Sequence, residues 1–202
     1  MRAMYTFLII LVWPFFNLFH PCRPIGRDRI PTGGALLCGN HSSLCDPLLA
    51  AYAFGRKNQL RFMAKAEVLR IPVVGWLLGK AGVFGVERGK SDITAIKQAL
   101  RFLKEGEYVF LFPEGTRVRD GKDHNGNPGA AKTGAAMLAV RTGVPIVPVY
   151  IPERKHWFRR TPVVFGTPYF PVTAEKKGTA EEYETITQDL MARVRALAEQ
   201  AV

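Results

Sequence analysis

The stretch Ala35-Leu-Leu-Cys-Gly-Asn-His-Ser-Ser-Leu-Cys-Asp-Pro47 carries the clearest indication of the fold. Its apolar start, Ala35–Cys38, follows two glycines and predicts a short buried strand. The polar residues after this strand predict a loop. Pro47 suits the first turn of a helix, which we expect to reach about Phe54 with Asp46 at the N-cap. The stretch therefore predicts a strand, a loop and a helix in succession.

Strand-like and helical segments continue to alternate along the chain. An amphipathic helix is predicted to open at Ser91 and Asp92, with a stripe formed by Ile93, Ile96, Leu100 and Leu103. A strand from Tyr108 to Phe112, a helix from Lys132 to Arg141 and a strand from Val144 to Tyr150 follow. We therefore predict an α/β fold, a single domain with a mixed, largely parallel sheet flanked by helices.

Three further segments complete the predicted architecture. The uncharged, Gly- and Pro-broken residues 71–84 predict an apolar wall rather than one regular helix, and Pro162–Phe165 predicts an edge strand. Residues 181–200 predict a polar helix with one apolar stripe. That stripe consists of Ile186, Leu190, Val194 and Leu197. The length of 202 residues fits one core.

The charge balance narrows the possible partners. The formal net charge is +11, from 28 Lys and Arg against 17 Asp and Glu, which attracts nucleic acid, anionic lipid or phosphorylated substrates. No aromatic RNA-binding motif, zinc spacing or basic coiled helix occurs, so a nucleic-acid partner is not expected. The three cysteines show no C-x-x-C or Cys/His spacing, so we expect no metal and a reducing, cytosol-facing compartment.

Residues 1–30 predict a membrane-association segment that precedes a domain of residues 31–202. The apolar run Met4–Phe19 is shorter than the roughly 20 residues that span a bilayer, and no cleavage site follows it. Arg23, Arg27 and Arg29 come next and would attract an anionic surface. We predict a peripheral or monotopic position on the cytoplasmic face of the cell membrane. The alternative is a first helix packed into the core.

The first candidate for chemistry is the pair His41 and Asp46. A loop that folds into a helix start can bring these side chains together, and a carboxylate on one ring nitrogen makes the other a better base. The alternative is a surface histidine beside an ordinary N-cap aspartate. Ser42 and Ser43 are next to His41 but lack the G-x-S-x-G elbow of a nucleophilic serine. We therefore expect the hydroxyl of the substrate to attack directly, without a covalent enzyme intermediate.

The second candidate is Phe112-Pro-Glu-Gly-Thr-Arg117, directly after a predicted strand. A carboxylate, a flexible glycine, a hydroxyl and a guanidinium at a strand end can hold a phosphate or a polar headgroup, with Arg117 as the phosphate contact. Arg88 closes an apolar stretch and could reach the same site. The alternative is a turn in which Glu114 and Arg117 pair with each other or with solvent.

The order of four segments resembles the sequence blocks of the glycerolipid acyltransferases. These segments are Asn40–Pro47, Gly82–Arg88, Phe112–Arg117 and Val144–Pro148. The short chain, the Glu-Gly-Thr-Arg block and the Lys132–Ala136 segment most resemble the bacterial 1-acylglycerol-3-phosphate acyltransferases. The resemblance covers about Leu36 to Tyr150.

This resemblance implies transfer of a fatty acyl group from an acyl carrier protein or coenzyme A thioester to the 2-hydroxyl of lysophosphatidic acid, giving phosphatidic acid. It implies that His41 is the general base, that Asp46 orients it, and that Pro145 shapes the fourth block. The implied acceptor site comprises Arg88, Glu114, Gly115, Thr116 and Arg117. No cofactor is expected beyond the thioester co-substrate.

The chain departs from the family pattern between Arg119 and Lys132, where the sequence predicts an enlarged loop. This departure leaves the acceptor open, so another lysolipid is the alternative within the enzyme class. A non-catalytic lipid-binding protein is the alternative outside that class, and it would tolerate the loss of His41.

Overall fold

The computed structural model describes residues 2–87, 92–123, 125–175 and 177–201. The helices are α1 (Arg2–Phe19), α2 (Asp46–Phe54), α3 (Ala66–Leu69), α4 (Val74–Lys80), α5 (Ile93–Lys104), α6 (Gly134–Thr142) and α7 (Ala180–Ala196). The strands are β1 (Cys22–Ile25), β2 (Ala35–Gly39), β3 (Leu60–Lys65), β4 (Phe84–Val86), β5 (Tyr108–Leu111), β6 (Val118–Arg119), β7 (Lys122–Asp123), β8 (Ile146–Tyr150) and β9 (Thr161–Phe165).

Seven of these strands form one sheet in the order β1-β9-β8-β2-β5-β3-β4. Neighbouring strands are parallel except β8 and β9, which are antiparallel. The remaining strands, β6 and β7, form a small hairpin in the segment predicted as an enlarged loop. The predicted α/β class and the mixed, largely parallel sheet are confirmed.

Helices cover both faces of the central strand β2. Leu37 packs with residues of α1 and α2, whereas Leu36 packs with residues of α5, α6 and α7 on the opposite face. Successive side chains of a strand point to opposite faces, so a strand covered on both sides must be apolar throughout. This explains the uninterrupted apolar run at Ala35–Cys38.

The two amphipathic helices differ in how well their stripes were predicted. Of the four predicted residues, three are buried in α7 and the fourth, Leu197, is buried just after its end, and Thr179 and Glu182 form a capping box that begins the helix. In α5 the stripe was partly wrong: Ile93 is exposed, and the buried side chains are Ala95, Ala99, Phe102 and Leu103. Asp92 caps this helix by accepting the Ala95 N–H.

One other prediction requires correction. Pro162–Phe165 does not lie at the edge of the sheet, because β9 has β1 on one side and β8 on the other. Residues 71–84 are not one regular helix, as predicted. They contain the short helix α4 and expose several apolar side chains, among them Ile71, Val73, Val74 and Trp76. Val73 has a φ of 63°, in a tight turn closed by a hydrogen bond from Val74 N to Pro72 O.

The N-terminal apolar run forms α1, which continues through Pro14. Its length and composition would also allow it to cross a membrane, although such a helix is weak evidence for one that does. Only Tyr5 is buried, which disfavours the alternative of a core-packed helix. The helix ends at Phe19, and residues 22–25 already belong to the sheet. The division of the chain at residue 30 stays a prediction.

Candidate active site

The candidate site lies where three adjacent strands end. β5, β2 and β8 are neighbours and run parallel, so the segments that follow them meet at one edge of the sheet. Asn40 joins two of these segments: its side chain accepts from Ile151 N at 2.9 Å and donates to Ile151 O at 2.8 Å. The carboxyl edge of parallel strands is the usual place for ligands in open α/β sheets.

His41 and Asp46 are in direct contact, as the sequence predicted. Nδ1 of His41 lies 2.9 Å from Oδ2 of Asp46. The Asp46 side chain is fully buried, and that of His41 is 13% exposed. A neutral imidazole whose Nδ1–H donates to a carboxylate has its lone pair on Nε2. The arrangement can therefore accept a proton from a hydroxyl group that reaches His41.

The prediction that Asp46 caps α2 was wrong. Asp46 is the first residue of the helix, and the N-cap is Cys45. The Asp46 carboxylate instead accepts from residues before it: the N–H groups of Ser42 and Ser43 each donate to Oδ2 at 2.7 Å. The loop thus folds back over the carboxylate and holds it beside His41.

Lys155 is a charged partner of Asp46 that the sequence analysis did not assign to the site. Its Nζ lies 2.7 Å from Oδ1 of Asp46, and its side chain is only 5% exposed. Nζ also donates to Ser42 Oγ at 3.0 Å and to Pro152 O at 2.7 Å. Burial alone would raise the pKa of Asp46, but the hydrogen bond from His41 and the charge of Lys155 outweigh it and lower that pKa.

Glu114 supports the main chain of His41. Its Oε2 accepts the His41 N–H at 2.8 Å, so it pairs neither with Arg117 nor only with solvent. Burial raises the pKa of Glu114 to about 7, with smaller contributions from the charges of Glu153 and Asp46, against the opposing effect of the hydrogen bond from His41. Glu114 therefore changes its charge near neutral pH, directly beside the main chain of His41.

Two further contacts fix the position of His41. Its ring stacks on Phe112, with 4.1 Å between ring centroids and 20° between ring planes. Its carbonyl oxygen accepts the Val118 N–H at 2.7 Å. The backbone and the ring of His41 are thus held by the segment that follows β5, and the residual exposure of the ring marks the side from which a substrate can approach.

The other predicted acceptor residues lie in and beside the turn after β5. Gly115 has a φ of +64°, which a glycine adopts readily, and its N–H donates to Phe112 O. A β-carbon at Gly115 would lie 3.4 Å from Cε of Lys132. The Lys132 side chain is therefore beside this turn, as a cation that was not predicted there. Thr116 is half-buried, and Arg117 is exposed. Arg88 lies outside the described residues.

The remaining predictions concern Pro145, the cysteines and metals. The Pro145 carbonyl accepts the Leu36 N–H at 3.0 Å, which aligns the start of β8 with β2. Cys22, Cys38 and Cys45 are free thiols. Within the described ranges, no group of three His, Cys, Asp or Glu side chains could hold a metal ion.

The sequence profile of the Acyltransferase family matches residues 23–152, which include β2, β5, β8 and the His41–Asp46 pair. The chain therefore belongs to this family.

Named relatives are consistent with this assignment. A chloroplastic 1-acyl-sn-glycerol-3-phosphate acyltransferase of Arabidopsis thaliana is 31% identical over 144 residues, covering 69% of this chain and 37% of the relative. A lyso-ornithine lipid O-acyltransferase of Pseudomonas aeruginosa is 38% identical over 128 residues, covering 62% of this chain and 45% of the relative. The chain thus spans less than half the length of these two relatives.

The fold also matches a solved structure. The crystal structure of PlsC from Thermotoga maritima, a 1-acyl-sn-glycerophosphate acyltransferase, superposes with a TM-score of 0.66 at 25% identity. The match covers 98% of this chain and 79% of that chain.

Proposed function

We propose that the protein transfers a fatty acyl group from an acyl thioester, carried by acyl carrier protein or coenzyme A, to the 2-hydroxyl of 1-acylglycerol 3-phosphate. The product would be phosphatidic acid. The observation that carries the proposal is the contact between Nδ1 of His41 and Oδ2 of Asp46, in a chain that belongs to the Acyltransferase family. No cofactor enters the reaction.

The pair supplies the proton transfers that the reaction needs. Nε2 of His41 takes the proton of the 2-hydroxyl while its oxygen attacks the thioester carbon, which gives a tetrahedral oxyanion. Collapse of this intermediate breaks the carbon–sulfur bond. The imidazolium then returns its proton to the thiolate that leaves. Asp46 keeps the ring in the required tautomer and stabilises its positive charge.

The turn after β5 suits an acceptor phosphate. Gly115, Thr116 and the exposed Arg117 follow Phe112 within five positions, and Phe112 stacks on the His41 ring. A guanidinium can grip two phosphate oxygens at once, which would fix the distance between the phosphate and the hydroxyl that reacts. We assign the phosphate to Arg117, with Arg88 as a second cation and Glu114 as the residue that supports His41.

Exposed apolar side chains support a membrane position, which we place on the cytoplasmic face. α1 exposes Phe7, Ile10, Leu11, Phe15 and Leu18, and it packs against α4, which exposes Trp76. A lipid surface would cover this apolar area, which would otherwise face water. The net charge of +11 favours anionic headgroups. Both substrates carry apolar tails, so a site at the bilayer would receive the acceptor from its lipid surroundings.

A second acceptor is favoured by one comparison. The relative with 38% identity is a lyso-ornithine lipid O-acyltransferase. An ornithine lipid carries a carboxylate and an ammonium group in its headgroup rather than a phosphate. We therefore keep acylation of a lyso-ornithine lipid as the alternative, with the same base and the same thioester donor.

One experiment tests both acceptors. The purified protein is mixed with an acyl thioester and isotope-labelled lysophosphatidic acid, lyso-ornithine lipid or monoacylglycerol, and the products are identified by mass spectrometry. Labelled phosphatidic acid, absent with folded His41→Ala, is the expected result. If only the lyso-ornithine lipid gives a product, this lipid is the acceptor in place of lysophosphatidic acid. Transfer to none of the acceptors from either thioester would overturn the proposed function.

A further inference from the structure

Lys155 occupies an unusual position for a lysine. It follows β8 in a segment rich in basic and aromatic residues, yet its side chain is 95% buried because it turns inward beneath the loop that carries His41. Its ammonium group contacts three oxygens: Asp46 Oδ1, Ser42 Oγ and Pro152 O. Lysine is rarely buried to this extent unless it is paired, so the ion pair with Asp46 explains its position.

The two oxygens of the Asp46 carboxylate have separate partners. Oδ2 accepts hydrogen bonds from Nδ1 of His41 and from the N–H groups of Ser42 and Ser43, whereas Oδ1 faces Nζ of Lys155. The ammonium group therefore fixes the rotation of the carboxylate about its terminal bond. Apart from the equivalent half-turn that exchanges the two oxygens, any other rotation would move the carboxylate oxygen away from the buried ammonium group, which is unfavourable.

We propose that Lys155 is a positioning residue for the general base: it holds Asp46 by Oδ1 so that Oδ2 faces His41, and it offsets the carboxylate charge so that the His41–Asp46 pair binds a proton less tightly. The role of the pair as a base rests on the proposed function. The effect of Lys155 on proton binding by the pair does not, and it can be measured without substrates.

The direction of the effect follows from the charges. With Lys155 present, Asp46 and Lys155 together are neutral, so the carboxylate attracts a proton onto the pair less strongly. Without the ammonium charge, the carboxylate is uncompensated and the pair binds a proton more tightly, whichever partner carries it. At the separation set by these contacts, one unit charge should move the titration midpoint up by about one pH unit.

Other charged groups also face His41. Glu114 bonds to its N–H, and Glu153 and Arg195 act on Glu114. Lys132 lies beside the turn at Gly115. Burial raises the pKa of Glu114 to about 7, so a change in the charge of Glu114 would overlap with a titration followed near neutral pH. Glu114→Gln removes this overlap and is therefore the background in which the test is repeated.

The test uses Lys155→Gln, which keeps a donor for the neighbouring oxygens, and Lys155→Met, which keeps the volume without a donor. Arg154→Met is the matched control, because Arg154 is the adjacent cation and is exposed. The protein has four histidines, so labelling them with ¹³C and removing His20, His124 and His156 singly assigns the His41 signal. The His41 midpoint is then followed by NMR against pH in folded protein.

Both neutral variants should raise the midpoint by about one pH unit, and Arg154→Met should leave it in place. If transfer activity is found, the acid limb of its pH profile should move by the same amount, and activity well below the limb should fall about tenfold. An unchanged midpoint in folded Lys155→Gln would overturn the proposal, even if that variant is less active. A moved midpoint without any acyl transfer would support the role of Lys155 while contradicting the proposed function.

Discussion

Replacing Asp46 by asparagine should damage both the base and the stability of the fold. Oδ2 accepts two backbone N–H groups at 2.7 Å, so the amide oxygen of asparagine must take that place. The amide nitrogen then occupies the position of Oδ1 and points at Nζ of Lys155, 2.7 Å away. Two donors would face each other, and the buried ammonium group would lose its counter-ion.

General magnitudes for buried ion pairs and for general bases set the expected size of each effect. Removing one partner of a buried ion pair commonly costs about 3–5 kcal/mol, a large share of a typical unfolding free energy of about 5–15 kcal/mol. The catalytic effect is separate. His41 would keep a neutral acceptor at Oδ2 but lose the negative charge that stabilises its imidazolium, and we expect turnover to fall by about 10²–10⁴.

A double variant separates the two effects. Urea denaturation of Asp46→Asn, Lys155→Met and the double variant gives the unfolding free energies of a mutant cycle. The double variant should be more stable than Asp46→Asn by about 2 kcal/mol or more, because it no longer buries an unpaired charge. Its acyl transfer should stay as low as that of Asp46→Asn. A double variant no more stable than Asp46→Asn, or an Asp46→Asn variant within about 1 kcal/mol of the parent, would refute the reasoning.

Four other changes test the site and the membrane surface. His41→Ala should lower transfer by about 10²–10⁴ without unfolding the protein, and near-normal turnover by the folded variant would contradict the general-base role. The double substitution Leu11→Ser and Phe15→Ser should weaken sedimentation with anionic vesicles at low and at high salt alike. These exposed side chains contribute apolar binding that salt does not screen. Vesicle binding equal to that of the parent would place the membrane contact elsewhere on the protein. Arg117→Lys should raise the KM for lysophosphatidic acid more than that for the thioester, and an unchanged preference over a neutral acceptor would indicate a structural role. Burial raises the pKa of Glu114 to about 7, so its contribution to stability is present below pH 4.5 and is lost as the pH rises through 7. In urea denaturation, Glu114→Gln should therefore gain stability relative to the parent between pH 5 and pH 8. A difference in unfolding free energy between variant and parent that stays constant over this range would contradict this.

The strand, loop and helix at residues 35–54 could be predicted because each step rests on adjacent residues. The apolar run at Ala35–Cys38, the loop and Pro47 all act over a few positions. The contact between His41 and Asp46 lies within the same short range. Its geometry was less accessible, since the folding of Ser42 and Ser43 back onto the carboxylate has no signature in residue types.

Among the strands that were not predicted, β1 and β3 have sequences that conceal them. β3 contains Arg61, whose guanidinium is buried against Glu107, so the usual apolar pattern is broken by a paired charge. β1 contains Arg23 and Pro24, and proline is tolerated there because β1 lies at the edge of the sheet. Only the pairing with neighbouring strands identifies these segments.

Lys155 could not be assigned to the site from the sequence. It lies 113 residues from Ser42, whose hydroxyl it contacts, and its neighbours in the chain are basic and aromatic residues typical of a solvated loop. What brings it to Asp46 is the parallel pairing of β8 with β2. That pairing depends on the order of strands in the whole sheet, which local periodicity does not determine.

Glu114 and Arg117 are three positions apart, yet the structure separates their tasks. Glu114 bonds to the backbone of His41, so a change there should move the base and alter turnover whichever acceptor is supplied. Arg117 is exposed after the same turn, so a change there should act through the acceptor headgroup. The segment after β5 thus holds the proposed base and also presents the arginine. If the acceptor headgroup binds Arg117 as proposed, a displacement of this turn would shift the hydroxyl and its proton acceptor together. One short block of residues would then determine both where the acceptor binds and whether it reacts.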